Sequence, residues 1–184
     1  MEPRRPDPGS YGRVTNPDRY RVVADAAEAL VERLVGEFHV VRSIGDVATD
    51  FPDWRGPERE TVRLVSVQGA PITFLTTSFP GVVIRFGTWG HEPFPSCGCD
   101  ACDENPVQEI ERMVRLVETT VAGGYRERMT RRWLWRSFTG TWGSQASRSR
   151  LHRRERRRLG DRGIHDWPPW ARRPDSDTTP HSEV

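Results

Sequence analysis

Lysine is missing from this 184-residue chain: all 28 basic residues are arginine. Without lysine no G-x-x-x-x-G-K-[ST] phosphate loop can be written. G-x-G-x-x-G after a strand, G-x-S-x-G and H-E-x-x-H are missing as well. The main nucleotide-binding and hydrolase signatures are therefore excluded. Arginine is the better planar, bidentate partner for anions, but its complete replacement of lysine fits a GC-rich coding bias just as well. Net charge is also small. The 28 arginines are offset by 26 acidic residues, leaving +2, so no strong global field calls for nucleic acid or an anionic membrane. No apolar run approaches the roughly 18 residues of a membrane span, and the opening MEPRRPDPGS has no apolar core of a secretory signal. The expected location is the cytoplasm. Cysteine is scarce, with three in all. An odd number in a reducing compartment argues against a disulfide framework and for metal binding or catalysis.

What remains is enough for one domain. Hydrophobic residues are 35% of the chain, and seven Trp and seven Phe can build a core despite that modest share. Residues 1–15, rich in Pro, Arg and Gly, read as an extended N-terminal segment. At Asn16-Pro17 a cap and a first-turn proline open a helical pattern. Tyr20, Val23, Ala24, Ala27, Leu30, Val31, Leu34 and Phe38 follow it, which predicts an amphipathic helix over about 17–37. Residues 39–44 and 61–67 read as strands, separated by a loop rich in Gly, Pro and Asp over 45–59. Residues 72–79 and 82–89, joined by Pro80-Gly81, give the clearest hairpin, with Val82, Ile84 and Phe86 on its apolar face and Arg85 interrupting the other. A second Asn-Pro at 105–106, with Gln108 where a capping box wants it, opens a helix over about 106–122 that ends near Gly123-Gly124. Residues 132–138 suit an aromatic strand. Residues 139–149 are rich in Gly, Ser and Thr. Residues 149–159 predict a short Arg-rich helix capped by Ser149, and 174–184 read as a disordered tail.

The α, β-meander, α order predicts a single α+β domain over 16–173. Its antiparallel sheet of about four or five strands packs one face on the two main helices, with the Arg-rich helix near the C-terminus.

The chemistry concentrates in HEPFPSCGCDACDENP, residues 91–106. Cys97 and Cys99 flank Gly98, which lets the backbone fold tightly, and Cys102 follows three positions later. Three thiols at this spacing can occupy three corners of a tetrahedral zinc site. The fourth ligand must come from elsewhere: His91 is the nearest imidazole, and Asp100, Asp103 and Glu104 are nearer carboxylates. C-x-C-x-x-C is a weaker signal than a doubled C-x-x-C, which supplies all four ligands. The acidic neighbours disfavour a bare thiolate. The positive end of the second helix, about half a charge, opposes them only in part. A divalent cation would stabilise thiolates and carboxylates together. Two other readings stand beside zinc: small buried thiols in an ordered loop, and a thiol redox pair of Cys97 and Cys99.

Other features have milder readings. The arginines of 148–158 can contact phosphates, and Trp133 and Trp135 can stack on bases. The same residues equally make a solvated face and a core. Trp167 and Trp170, set around two prolines, are expected to fold back over the sheet. His91, Glu92 and Asp100 allow acid–base work, but their spacing is not diagnostic.

YGRVTNPDRY at 11–20, FPGVVIRFG at 79–87, and above all EPFPSCGCDACDE at 92–104 resemble an uncharacterised actinobacterial family, a domain of unknown function. The closing Arg-rich stretch and WPPWARR also look like the end of those proteins. The resemblance implies that 149–173 belongs to the domain, and it carries no activity, substrate or metal. From the residues themselves the expected function is that of a small binding or interaction protein with a structural zinc held by Cys97, Cys99, Cys102 and His91 or an adjacent carboxylate. The alternatives are an enzyme using the same loop, as an open metal site or thiol pair, and a nucleic-acid module acting through the Arg-rich helix. The partner is a protein or a small molecule.

Overall fold

The computed structural model describes residues 11–160 and 162–174; most of the expected N-terminal segment and the expected tail beyond residue 174 lie outside them. The fold is α+β and holds two antiparallel sheets where one was expected. The first is a five-stranded meander in sequence order: β1 (Val40–Asp46), β2 (Glu60–Ser66), β3 (Ile72–Thr77), β4 (Gly81–Phe86) and β5 (Gly90–Phe94). The second contains β6 (Tyr125–Met129), β7 (Trp133–Gly140), β8 (Gly143–Arg150) and β9 (Gly163–Asp166), in the order β8-β7-β6-β9. The helices are α1 (Arg21–Glu37), α2 (Val47–Asp50), α3 (Pro106–Val121) and α4 (Arg153–Arg158).

The core of the first sheet follows its side-chain alternation. Leu64, Ile72, Phe74, Val82, Ile84, Phe86 and Phe94 line one face. They meet Val23, Ala27, Leu30, Val31 and Leu34 of α1 and Met113, Leu116, Val117 and Val121 of α3. Each such large side chain, fully buried, contributes about 2 kcal/mol. Pro17–Tyr20 is a 3-10 turn leading into α1, and Asn16 makes no side-chain cap bond. The second Asn-Pro does cap: Asn105 Oδ1 accepts from the N–H of Val107 at 2.8 Å, rather than from Gln108. Trp170 folds back as expected. It is buried, packs edge-on against Phe38 with ring centroids 5.9 Å apart, and its indole N–H donates to the Ala70 carbonyl at 2.9 Å.

The reverse face of the first sheet is a charged layer. The register aligns Arg63, Thr73, Arg85 and His91 in one row across β2 to β5. Leu75, Val83 and Pro93 lie in the adjacent row. α2, within what was read as a loop, and the turn after it cover part of this face through Val47, Phe51 and Trp54. The buried Asp50 carboxylate accepts from Arg63 Nε at 2.7 Å and Arg85 Nη2 at 3.0 Å, and also from the Thr61 hydroxyl.

The second sheet corrects the sequence reading most. β8 runs through Arg150, so the helix expected from 149 begins only at Arg153; His152, not Ser149, caps it, with Glu155 completing the capping box. β6 is locked to the first sheet by one residue. The Glu127 carboxylate, 1% exposed, accepts from the N–H groups of Thr88 (2.7 Å), Trp89 (3.1 Å) and Gly90 (3.1 Å) and from the Tyr125 hydroxyl (2.9 Å). The turn it grips needs Gly87: its φ is +64°, and a Cβ there would strike the Trp167 ring. Left-handed backbone and close approach both require glycine.

Candidate metal centre

The chain leaves β5 at Phe94, crosses a cis Phe94-Pro95 peptide, turns through the cysteines and enters α3 at Pro106. This loop is tied to the chain's start. The N–H of Asp100 donates to the Arg13 carbonyl at 2.8 Å, and Asp100 Oδ1 accepts from the backbone N–H (2.9 Å) and hydroxyl (3.1 Å) of Thr15. Arg19 pairs with Asp103 at 2.6 Å, and the Tyr20 hydroxyl donates to the Glu104 carbonyl at 3.0 Å. Asp103 holds φ at +43°, which aspartate tolerates better than most side chains. Gly98 is needed for a different reason from the one expected: a Cβ there would collide with the Phe79 ring.

The ligand atoms of Cys97, Cys99 and Cys102 all lie within 4.8 Å of one another, with Cys97 Sγ 3.2 Å from Cys99 Sγ. Cys97 is half-buried, Cys99 buried and Cys102 exposed, and none forms a disulfide. Hydrogen bonds split their acidities. A bond from Cys97, with backbone N–H donors of Cys102 and Gly12, lowers Cys99 to about 6. Cys102, hydrogen-bonded to Cys97 and Cys99, is raised to about 12. The acidic neighbours thus do not govern Cys99 as the sequence suggested, because donors at its sulfur outweigh them. Asp100 and Asp103 are held by Thr15, Arg13 and Arg19. A preorganised thiolate with N–H donors and two thiols beside it suits a soft divalent cation.

Among the described residues no carboxylate joins this group, and neither does His91. It belongs to the charged face of the first sheet, paired with Arg85, and its ring meets Phe51 edge-on at 6.4 Å. Residues at alternate strand positions point to opposite faces, so nearness in sequence misleads here. The acidic side chain nearest the thiols by bonding is Glu104, whose Oε2 accepts from the Cys97 N–H at 3.1 Å. Glu92 lies in a network linking the loop to the second sheet: it pairs with Arg136 at 2.9 Å and Arg112 at 3.7 Å, while Arg112 also reaches Glu109 and the Ser96 hydroxyl.

Burial, with the positive charges of Arg136 and Arg85, lowers the pKa of His91 below its ordinary 6.5 against the opposing pull of Glu92 and Asp53. The folded state therefore binds the proton less well than the unfolded chain. Stability from the neutral ring is present above pH 6.5 and declines as pH falls through the folded pKa. An NMR titration is expected to place His91 below 6.5; a value at or above it would mean that Glu92 and Asp53 dominate.

The stacking platform proposed from Trp133 and Trp135 is taken up internally: the Arg148 guanidinium lies over both rings, at 4.4 and 4.9 Å. Arg153, Arg156, Arg157 and Arg162 gather at an outer depression. Among the described residues no helix is long and apolar enough to cross a membrane.

Neither curated proteins nor solved structures provide a match. A family match spans residues 2–174, taking in both sheets, the cysteine loop and the closing Trp-Pro-Pro-Trp segment. The chain belongs to a family of unknown function, DUF6226.

Proposed function

We propose that this is a small cytoplasmic binding or interaction protein whose cysteine loop carries a structural zinc ion. The observation that supports the reading is the convergence of the Cys97, Cys99 and Cys102 sulfurs within 4.8 Å. In this proposal Glu104, already bonded to the Cys97 backbone, supplies the fourth ligand in place of His91. The metal fixes the crossover from β5 to α3 and the N-terminal strap against it, acting on stability rather than on a reaction.

Elemental analysis of tag-free protein is expected to give about one zinc per chain, with thiols masked until a chelator is added. Cys99→Ser should abolish zinc retention, Glu104→Gln should weaken it by about tenfold or more, and His91→Ala should leave it unchanged. Metal-free protein with three freely reactive thiols would overturn the proposal.

A second reading makes Cys97 and Cys99 a thiol pair. It is favoured by their 3.2 Å approach and by the lowered Cys99. Under that reading the metal analysis is negative, and the pair reacts rapidly with a small disulfide at neutral pH.

A further inference from the structure

Between the two sheets lies a cleft of about 510 Å³ that the cysteine loop does not use. Its walls are mostly apolar: Phe51 and Trp54 from the segment after α2, Val83 from β4, Trp89 from the β4–β5 turn, and Leu134 and Leu159 from β7 and the end of α4. All but Trp54 and Leu159 are buried. Arg85 and His91 from the first sheet and Arg136 from the second line the space together, and Asp50, Asp53, Arg150 and Glu155 line it too.

The two guanidiniums are incompletely matched, while His91 stands beside them as a neutral ring. Arg63 and Arg85 share the single carboxylate of Asp50. Arg85 is held below its ordinary acidity range, first by burial, so its charge is incompletely compensated. Arg136 closes the free edge of β5 by donating to the His91 carbonyl at 2.6 Å, and it shares Glu92 with Arg112. The Nε atoms of Arg85 and Arg136 are both buried and have no hydrogen-bond partner. Two guanidiniums thus line one cleft, and the Nε–H of each has no protein acceptor. Of the other acids lining the cleft, Asp53 acts on His91, while Glu155 accepts from the backbone N–H of His152 in the α4 capping box.

A planar anion matches this arrangement. Its charged end would face the guanidinium forks, which suit carboxylate geometry. Its flat apolar body would lie between aromatic walls of the kind that line small-molecule sites. We propose that the cleft between the sheets binds a small organic acid with a flat apolar body, its carboxylate held by Arg85 and Arg136 beside His91. This assignment is independent of the zinc reading, since the metal loop contributes none of these groups.

Salicylate is a suitable probe, with salicyl alcohol as its uncharged counterpart. Titration of the full chain, followed by calorimetry, is expected to show one saturable salicylate site. Salicyl alcohol and the Arg136→Met variant should each bind at least about tenfold more weakly, the worth of a charged hydrogen bond. The exterior variant Arg126→Met should bind normally. Because Arg136 also holds the β5 edge, wild-type NMR provides a second readout: salicylate should shift the indole N–H signals of Trp54 and Trp89. No saturable binding below about 10 mM, a weak-binding limit on the affinity scale, would overturn the proposal. So would equal binding of the alcohol, or shifts confined to Arg153, Arg156, Arg157 and Arg162 at the outer depression.

Discussion

Glu127→Ala is expected to lower the free energy of unfolding by on the order of 4 kcal/mol. The carboxylate is the shared acceptor for three backbone N–H groups of the β4–β5 turn and for the Tyr125 hydroxyl. Alanine leaves these donors buried with no acceptor, and each unsatisfied donor costs about 1–3 kcal/mol. The loss falls at the junction of the two sheets, so Trp89 and the cleft wall it forms should loosen together. Urea unfolding measures it: the midpoint should fall with the slope unchanged. A loss under about 1 kcal/mol would mean that the turn finds other acceptors.

Glu127 also sets a pH trend. Burial raises its pKa, only partly offset by the donors around it. The folded chain then holds the proton more tightly than the unfolded chain, whose ordinary value is 4.5. Its contribution is fullest below 4.5 and is lost as pH rises through the folded pKa. In the alanine variant this component of the pH dependence should vanish.

Asp50→Ala should cost about 3 kcal/mol, the low end for a buried pair, because it leaves the half-buried Arg63 and Arg85 with no carboxylate between them. Burial works to raise the Asp50 pKa, but hydrogen bonds from Arg63 and Thr61 and the charges of Arg85 and Arg63 outweigh it, so the net shift is downward from 3.8. The stabilisation is present above pH 3.8 and lost as pH falls through the folded pKa. The acid limb of wild-type stability should therefore flatten in the variant. Asp50→Asn, which keeps the volume and one acceptor, should lie between the two. If asparagine matched wild type across the acid range, the ion pairs would contribute nothing and the packing alone would matter. Because the Asp50 side chain also orients Arg85, its Oδ1 accepting from Nη2 at 3.0 Å, the alanine variant should weaken salicylate binding in the cleft.

The elements most legible in the sequence were those whose pattern is local. The stripe from Val23 to Leu34, the Asn105-Pro106 start of α3 and the hairpin about Pro80-Gly81 depend on neighbours a few positions away; the first two lie where their spacing placed them, and the hairpin is present with shorter strands, Ile72–Thr77 and Gly81–Phe86. The second sheet was less legible. β6 reads YRERM, and its central Glu127 looks like a solvent-facing charge. β8 reads GSQASRSR, almost without apolar residues, and β9 is four residues long. Each is a strand because of the partner it pairs with, which lies outside any short window.

The same division holds for the candidate sites. The cysteine cluster is readable along the chain alone, because three thiols within six residues cannot separate far. So is the need of Trp167 and Trp170 for cover. Long-range packing sets the rest: His91 lies on the sheet face with Arg85, Glu104 bonds to the Cys97 backbone, and Arg85 and Arg136, far apart in the chain, share one cleft. Strand alternation assigns a side chain to one of two faces, but register and sheet packing determine what that face meets. Those are set by pairings between distant segments, and no local pattern encodes them.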